Sequence, residues 1–273
     1  MTRDALDSYR TQGYLAQLPA LPPAEIAACM DRLAEAEATR GGRIGAVQNI
    51  KIHLLLPWLW ELVHLPAIVD PVAEILGPDV LCWASGFFDK RPGEPAHVPW
   101  HQDATYWGLT EPRALTAWLA FTPSLPENGC LRVVPGTHRA PLRHCDTGDR
   151  TNMLPGREEV AMEVDENDAV DIVLSPGEMS LHHLLLVHGS RANGSGMRRC
   201  GLAIRYIAGD LGRARGAQGT ATLVRGRDHG GFALEQAPEG PFHPAATARY
   251  RDIVRIWTRG VFGEIGHRQA EEG

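Results

Sequence analysis

The sequence has few cysteines and no Cys-x-x-Cys pair. Its five cysteines are scattered over 273 residues, and this odd number favours reduced thiols in a cytoplasmic protein over a disulfide framework. No apolar run reaches about 18 residues, and residues 1–7 lack the apolar core of a signal peptide, so we expect neither a membrane span nor secretion. The 27 basic and 33 acidic residues form no block of one sign, which argues against a nucleic-acid or membrane partner.

The composition is that of an ordinary globular protein, with 44% hydrophobic and 22% charged residues. We see no internal repeat and no linker, so we expect a single domain over residues 1–273. Apolar spacing predicts a short helix within residues 3–16 that turns at Gly13, and further helices over residues 24–38, 57–63, 66–76 and about 246–261. The expected layout is N-terminal helices over about 1–78, a β core over about 79–207, and a loop with a C-terminal helix over about 208–273.

From Val80 onward, short β-branched and aromatic runs alternate with Gly and Pro turns. This spacing predicts a mainly β core of sandwich or jelly-roll type with flanking helices. The predicted strands cover residues 80–89, 97–104, 114–121, 130–134, 168–173, 179–187 and 200–207. Residues 139–166 form a long polar connection that we interpret as a flap over the site, and residues 208–250 are interpreted as loop.

His101 and Asp103 form a His-x-Asp motif after a hydrophobic run. Residues two apart in a strand point to the same face, so these side chains can meet at one point while Gln102 points away. Two imidazoles and one carboxylate are the ligand set of a mononuclear non-haem iron(II) site, and they leave three metal positions open. A second His-x-Asp motif, at His144 and Asp146, lies in a polar stretch with Pro and Gly that is typical of a loop.

The second imidazole of such a site has three candidates in one apolar run. Strand alternation would place His182 and His188 on one face and His183 on the other. Spacing alone therefore does not identify the ligand.

Four stretches together make the chain similar to the phytanoyl-CoA dioxygenase family of iron(II)/2-oxoglutarate-dependent oxygenases. They are residues 87–93, 100–108, 115–138 and 188–206, which include the motifs around Trp100-His101-Gln102-Asp103 and His188-Gly189-Ser190. The resemblance implies a double-stranded β-helix core of the jelly-roll or cupin-like type, with iron(II), 2-oxoglutarate and oxygen as cofactors. It also implies that His101, Asp103 and His188 are the catalytic metal ligands, and that His182 and His183 pack nearby.

The resemblance also implies a site for 2-oxoglutarate. Arg199 would pair with its distal carboxylate, a role that suits a planar guanidinium, and Arg198 would face away because neighbouring strand residues alternate. Ser190 would add a hydroxyl contact. Trp118 would line the pocket, unless it is plain core. Lys51 would supply a further polar contact, unless it is a surface lysine.

Substrate contacts are predicted at Tyr106, Trp107, His53 and Arg205, with strand packing or a solvated surface as the alternative for each. Halogenases related to this family have a small residue in place of the carboxylate ligand, so Asp103 favours hydroxylation, or a related oxidation such as desaturation. The resemblance suggests a small free metabolite as the substrate. Alternatives are a triad metalloenzyme without 2-oxoglutarate, a non-catalytic metal- or ligand-binding barrel, or zinc in place of iron.

Overall fold

A computed structural model describes residues 1–106, 109, 111–154, 156–211 and 219–271, without the side chains of residues 105, 106 and 259–271. Five α-helices occur in this part of the chain: α1 (Arg3–Gln12), α2 (Pro23–Thr39), α3 (Pro57–Val63), α4 (Pro66–Leu76) and α5 (Pro244–Glu271). Proline begins α2 through α5, where its missing N–H costs no hydrogen bond. Among the described residues, none of these helices combines the length and the apolarity that crossing a membrane requires.

Thirteen strands are described, and most are short. They are β1 (Tyr14–Pro19), β2 (Val80–Lys90), β3 (Val98–His101), β4 (Ala114–Ala120), β5 (Leu131–Val133), β6 (His144–Asp146), β7 (Glu158–Val160), β8 (Val170–Ile172), β9 (Glu178–His183), β10 (His188–Ser190), β11 (Arg199–Ala208), β12 (Thr220–Arg225) and β13 (Ala233–Leu234). The major sheet has the order β1-β9-β4-β11-β2-β12-β13, and the minor sheet has the order β3-β10-β5-β8.

The two sheets face each other in a jelly roll, with helices on the outer face of the major sheet. Strand β4 is fully buried, and its side chains point alternately toward the helices and toward the minor sheet. Ala117 and Leu119 belong to the cluster formed with the helices, whereas Trp118 and Ala120 pack with Leu131 of the minor sheet. The predicted mainly β core with flanking helices is confirmed.

The four N-terminal helices were predicted correctly, and the turn at Gly13 adopts the left-handed conformation (φ 85°) that glycine favours. Other predictions were wrong. Residues 208–250, interpreted as loop, contain β12 and β13, and the polar segment 139–166 contains the hairpin of β6 and β7. The motif at His144 and Asp146 therefore lies in a strand rather than in a loop.

One edge of the major sheet opens onto a cavity. Strand β12 pairs with β2 only as far as Cys82, so the rest of β2 has a free edge. Asn49 covers part of it, because its side chain exchanges hydrogen bonds of 2.7 and 2.8 Å with the backbone of Phe87. A cavity of about 600 Å³ lies along this edge, with Val254 and Trp257 of α5 among its lining residues.

Candidate functional site

The structure brings His101, Asp103 and His188 together. His101 ends β3 and stands directly opposite His188 of β10 in the antiparallel register, which places both imidazoles on one face with ring centroids 4.1 Å apart. Asp103 begins a 3-10 helix just after β3. One ligand atom from each of the three residues lies within 4.8 Å of the others, and all three side chains are buried.

The prediction that His101 and Asp103 converge because both lie in one strand was wrong. Only His101 belongs to a strand, and the chain turns into the 3-10 helix before Asp103. Gln102 does point away, as predicted: its side chain bonds Ala140 O and Leu142 N of the 139–166 segment, and Leu185 O. The convergence on one metal position therefore depends on this turn and not on strand alternation.

Hydrogen bonds fix the orientation of both imidazoles. Nδ1 of His101 lies 3.0 Å from Pro99 O, and Nδ1 of His188 lies 2.8 Å from Leu186 O. A carbonyl oxygen only accepts, so each Nδ1 carries the proton and each Nε2 keeps its lone pair for a metal. Burial holds the pKa of His188 well below its usual range, so this imidazole is neutral near pH 7.

Asp103 is held as a carboxylate. Burial alone would raise the pKa of Asp103, but the two imidazoles and the Arg205 guanidinium hold it well below its usual range. Thr116 donates a hydrogen bond of 2.8 Å to Oδ2, which leaves Oδ1 toward the imidazoles, 3.8 Å from Nε2 of His101. Two imidazoles and one carboxylate on a common face match the open-sided ligand set of iron(II).

The continuous strand predicted over residues 179–187 is interrupted. Strand β9 ends at His183, and β10 begins at His188 after a turn. His183 faces Tyr9 and His138, with ring centroids 6.5 and 5.3 Å away, so it packs outside the metal site. His182 lies close to His188, with ring centroids 4.5 Å apart.

Arg199 points inward and Arg198 outward, as strand alternation predicted. Arg198 pairs with Asp89 and Glu37, away from the Arg199 guanidinium. The Arg199 guanidinium is buried and bonds main-chain carbonyls, with Nε and Nη2 on Gly129 O and Nη1 on Phe88 O. One N–H on each terminal nitrogen remains for a ligand, which is the fork that binds a carboxylate in a bidentate manner.

Lys90 is a second buried basic residue, and it was not predicted from the sequence. It pairs with Arg199 across β2 and β11, and its ammonium donates to the Ser190 hydroxyl oxygen at 2.6 Å. Burial, followed by the charge of Arg199, lowers the pKa of Lys90 to about 6. Among the described residues, neither basic residue forms a salt bridge to a carboxylate. The available signal was a lysine at an inward position of an apolar strand.

The Arg199 guanidinium and the Ser190 hydroxyl make the pocket an anion site. Because Lys90 donates to Ser190 Oγ, the Ser190 hydroxyl proton stays available to a ligand. Ser190, Arg199 and the metal triad line one cavity. Trp118 lines it too, with its ring 5.1 Å from the Arg199 guanidinium carbon. A Cβ on Gly201 would lie 2.1 Å from the Trp118 ring, so glycine is required at that position.

Lys51 does not reach this pocket. Its ammonium lies 2.7 Å from Glu235 Oε1 and also donates to Thr220 O. Burial opposes the charge on Glu235, but Lys51 and His53 lower the pKa of that carboxyl to about 2. The His53 ring is fully buried between Ser85 and Thr222. The predicted contacts of Lys51 with 2-oxoglutarate and of His53 with substrate are therefore corrected, because both side chains belong to a buried polar cluster that joins β2, β12 and Glu235.

Lys51→Met should lower the free energy of unfolding by about 3–5 kcal/mol, because the Glu235 carboxylate would stay buried without its cation. Urea denaturation measures this loss, and the double variant Lys51→Met/Glu235→Leu should recover much of it. The Kd for 2-oxoglutarate should stay within about twofold of the parent value. A large rise in that Kd at unchanged stability would contradict the structural assignment of Lys51.

Comparison with known proteins agrees with this geometry. The family model of phytanoyl-CoA dioxygenase (PhyH) matches residues 9–201, which is most of the chain. The chain belongs to the phytanoyl-CoA dioxygenase family. This is a family of iron(II)- and 2-oxoglutarate-dependent oxygenases, so iron(II), 2-oxoglutarate and oxygen are its cofactors.

Individual relatives show how much of the chain is shared. A probable alpha-ketoglutarate-dependent hypophosphite dioxygenase of Stutzerimonas stutzeri is 29% identical over 161 residues, 58% of this chain and 56% of that protein. The peroxisomal phytanoyl-CoA dioxygenase of Bos taurus is 32% identical over 146 residues, 50% of this chain and 42% of that protein. The chain thus matches about half the length of these curated relatives. The structure of the non-heme monooxygenase ThoJ, in its apo form, is 32% identical, with a TM-score of 0.86 over 97% of this chain and 100% of that one.

The 600 Å³ cavity of this phytanoyl-CoA dioxygenase family member adjoins the candidate metal site. Asp103, Phe88 and Arg205 line both the metal cavity and the 600 Å³ cavity. The Arg205 guanidinium carbon lies 5.9 Å from the Phe88 ring centroid. Of the two predicted aromatic contacts, Trp107 lies outside the described residues, and only the backbone of Tyr106 is described.

The second His-x-Asp motif has a different role. Nε2 of His144 accepts a hydrogen bond of 3.0 Å from Gln102 N, and its Nδ1 lies 3.0 Å from Leu142 O. Within the described part of the chain, the triad is the one group of three or more potential ligands that meets the distance criterion for a metal. His144 therefore ties the hairpin of β6 and β7 to the residue between the two proximal ligands. The predicted closure of the 139–166 segment over the site stays a prediction.

Proposed function

We propose that this protein is an iron(II)/2-oxoglutarate-dependent dioxygenase that hydroxylates an unactivated C–H bond of a small-molecule metabolite. Substrate, oxygen and 2-oxoglutarate would give the alcohol, succinate and carbon dioxide. The observation that supports the proposal is one cavity lined by the three candidate metal ligands, the Ser190 hydroxyl and the buried Arg199 guanidinium. The printed names of relatives, a hypophosphite dioxygenase and an L-proline trans-4-hydroxylase of Streptomyces griseoviridis, support small-molecule oxidation.

The residues of the chain would bind and orient the co-substrate. Arg199 and the Ser190 hydroxyl would hold its distal carboxylate, and Trp118 would confine its carbon chain. The proximal oxygens would then reach the open face of the metal held by His101, Asp103 and His188. When bound, iron(II) and 2-oxoglutarate supply the oxidising power that breaks a strong C–H bond.

The 600 Å³ cavity is our candidate for the substrate site, because it lies within the usual range for small-molecule pockets. Trp83 and Trp257, whose ring centroids are 5.8 Å apart, give it an apolar end. Arg205 gives it a positive charge where it meets the metal cavity. We therefore infer a substrate with an apolar body and an anionic or strongly hydrogen-bond-accepting group near the oxidised carbon. Tyr106 and Trp107 stay predicted contacts.

Turnover of 2-oxoglutarate without substrate tests this proposal. Metal should first be stripped from the protein, because zinc binds such ligand sets more tightly than iron(II). After reloading with iron(II), the protein should release succinate slowly from 2-oxoglutarate in the presence of oxygen, and the zinc-loaded control should release none. A folded, iron-loaded protein that forms no succinate, alone or with any candidate substrate, would favour a non-catalytic binding barrel.

A further inference from the structure

His182 is a buried histidine whose two ring nitrogens lack any hydrogen-bond partner among the described residues. Its side chain is 2% exposed. The ligands His101 and His188 each place Nδ1 on a main-chain carbonyl, so His182 differs from both. A buried polar group without a partner is costly and calls for an explanation, such as a ligand or a water molecule.

The position of His182 points to the co-substrate. On β9 it stands opposite Thr116 of β4, and Thr116 holds the Asp103 carboxylate. Its ring lines the cavity that leads from the triad to Ser190 and Arg199. His182 thus lies at the metal end of the co-substrate pocket, whereas Arg199 and Ser190 would hold the distal carboxylate at the other end.

His182 is not a fourth ligand in this geometry, because only the triad brings ligand atoms within 4.8 Å of one another among the described residues. An imidazole has at least one N–H donor in either protonation state. The metal-binding end of 2-oxoglutarate, a carboxylate and a keto group, consists of acceptors alone. A buried N–H donor complements it.

We propose that His182 is a positioning residue that donates a ring N–H hydrogen bond to the metal-chelating end of 2-oxoglutarate and fixes the orientation of the chelate. This inference rests on the proposed function. His183, the next residue, provides a matched control, because its Nδ1 accepts from Leu185 N at 3.1 Å and its ring packs outside the metal cavity.

The test compares the anaerobic iron(II) complexes of the parent, His182→Phe, His182→Gln and His183→Phe. His182→Phe should raise the Kd for 2-oxoglutarate about tenfold, as expected for loss of a hydrogen bond to a charged acceptor. It should also move the visible charge-transfer band to shorter wavelength, because the donor stabilises the orbital that receives the electron. His182→Gln keeps an N–H donor and should restore most of both values, and His183→Phe should match the parent.

Three results would overturn the inference. They are parental Kd and band position in His182→Phe, loss of iron(II) affinity in that variant, or an equal effect in His183→Phe. Should His182→Phe not fold, ring ¹⁵N–¹H spectra of the zinc-loaded parent decide, since a protected N–H resonance must appear on adding 2-oxoglutarate and be missing in His182→Gln. A parent without any band would instead contradict the proposed function.

Discussion

His188→Ala should reduce iron-dependent succinate formation more than about 100-fold, since loss of even the partners that orient metal ligands costs 10–100-fold. The imidazole cannot be replaced from nearby, because His183 faces Tyr9 and His138 and the ligand atoms of His182 lie outside the triad's distances. Iron(II) titration measures the loss of metal binding, and a succinate assay measures the loss of turnover.

The control for this variant is His144→Ala, which alters the other His-x-Asp motif. His144 bonds the backbone of Gln102, so its loss should reduce stability and leave the iron(II) stoichiometry at one per chain. Full iron binding and turnover by His188→Ala would show that the metal lies elsewhere.

Arg199→Ala should raise the Kd for 2-oxoglutarate about 30-fold or more, because removing one partner of a buried charge pair costs about 2–5 kcal/mol. Burial already lowers the pKa of Arg199 to about 10, so the guanidinium is desolvated before the ligand arrives and remains charged at neutral pH. Calorimetric titration of the iron-loaded protein under anaerobic conditions measures the change.

The neighbouring residues supply the controls for Arg199. Arg198→Ala removes salt bridges to Asp89 and Glu37 that lie outside the co-substrate cavity, and it should leave the Kd for 2-oxoglutarate within about twofold. Arg199→Lys keeps the charge without the planar fork and should recover only part of the affinity. A Kd that is unchanged in Arg199→Ala would remove the co-substrate assignment while leaving the metal triad in place.

The proximity of the three candidate metal ligands could be predicted from the sequence, but the reason for their convergence could not. His101, Asp103 and His188 follow from motif and resemblance. The 3-10 turn that aims Asp103 and the turn before His188 depend on main-chain contacts, such as Leu186 N to His183 O, that no side-chain alternation reveals. Strand alternation predicted that His101 and Asp103 lie in the same strand, but only His101 lies in a strand there.

The partners of Lys51 and Lys90 could not be predicted from the sequence. Lys51 resembled a co-substrate contact, yet its partner Glu235 lies 184 residues away in the sequence. Lys90 lies in the stretch 87–93 that contributes to the family resemblance, and its proximity to Arg199 comes from the pairing of β2 with β11. Which lysine meets an anion is decided by these long-range pairings.

In the fold, too, elements that depend on long-range pairing could not be predicted from the sequence. Helices α2, α3 and α4 can be predicted from their local apolar spacing and initial prolines. Strand β1 was not predicted because it forms only by pairing with β9, and β12 because it forms by pairing with β2. Their short sequences carry little alternation of their own.

The anaerobic absorption spectrum of metal-free protein, given iron(II) and then 2-oxoglutarate, tests the central claim most directly. The account predicts a broad visible charge-transfer band in the parent that is absent in His188→Ala and needs far more 2-oxoglutarate in Arg199→Ala. Well-folded parent protein that binds iron(II) yet shows no band at saturating 2-oxoglutarate would contradict the claim that this triad and Arg199 form one co-substrate site.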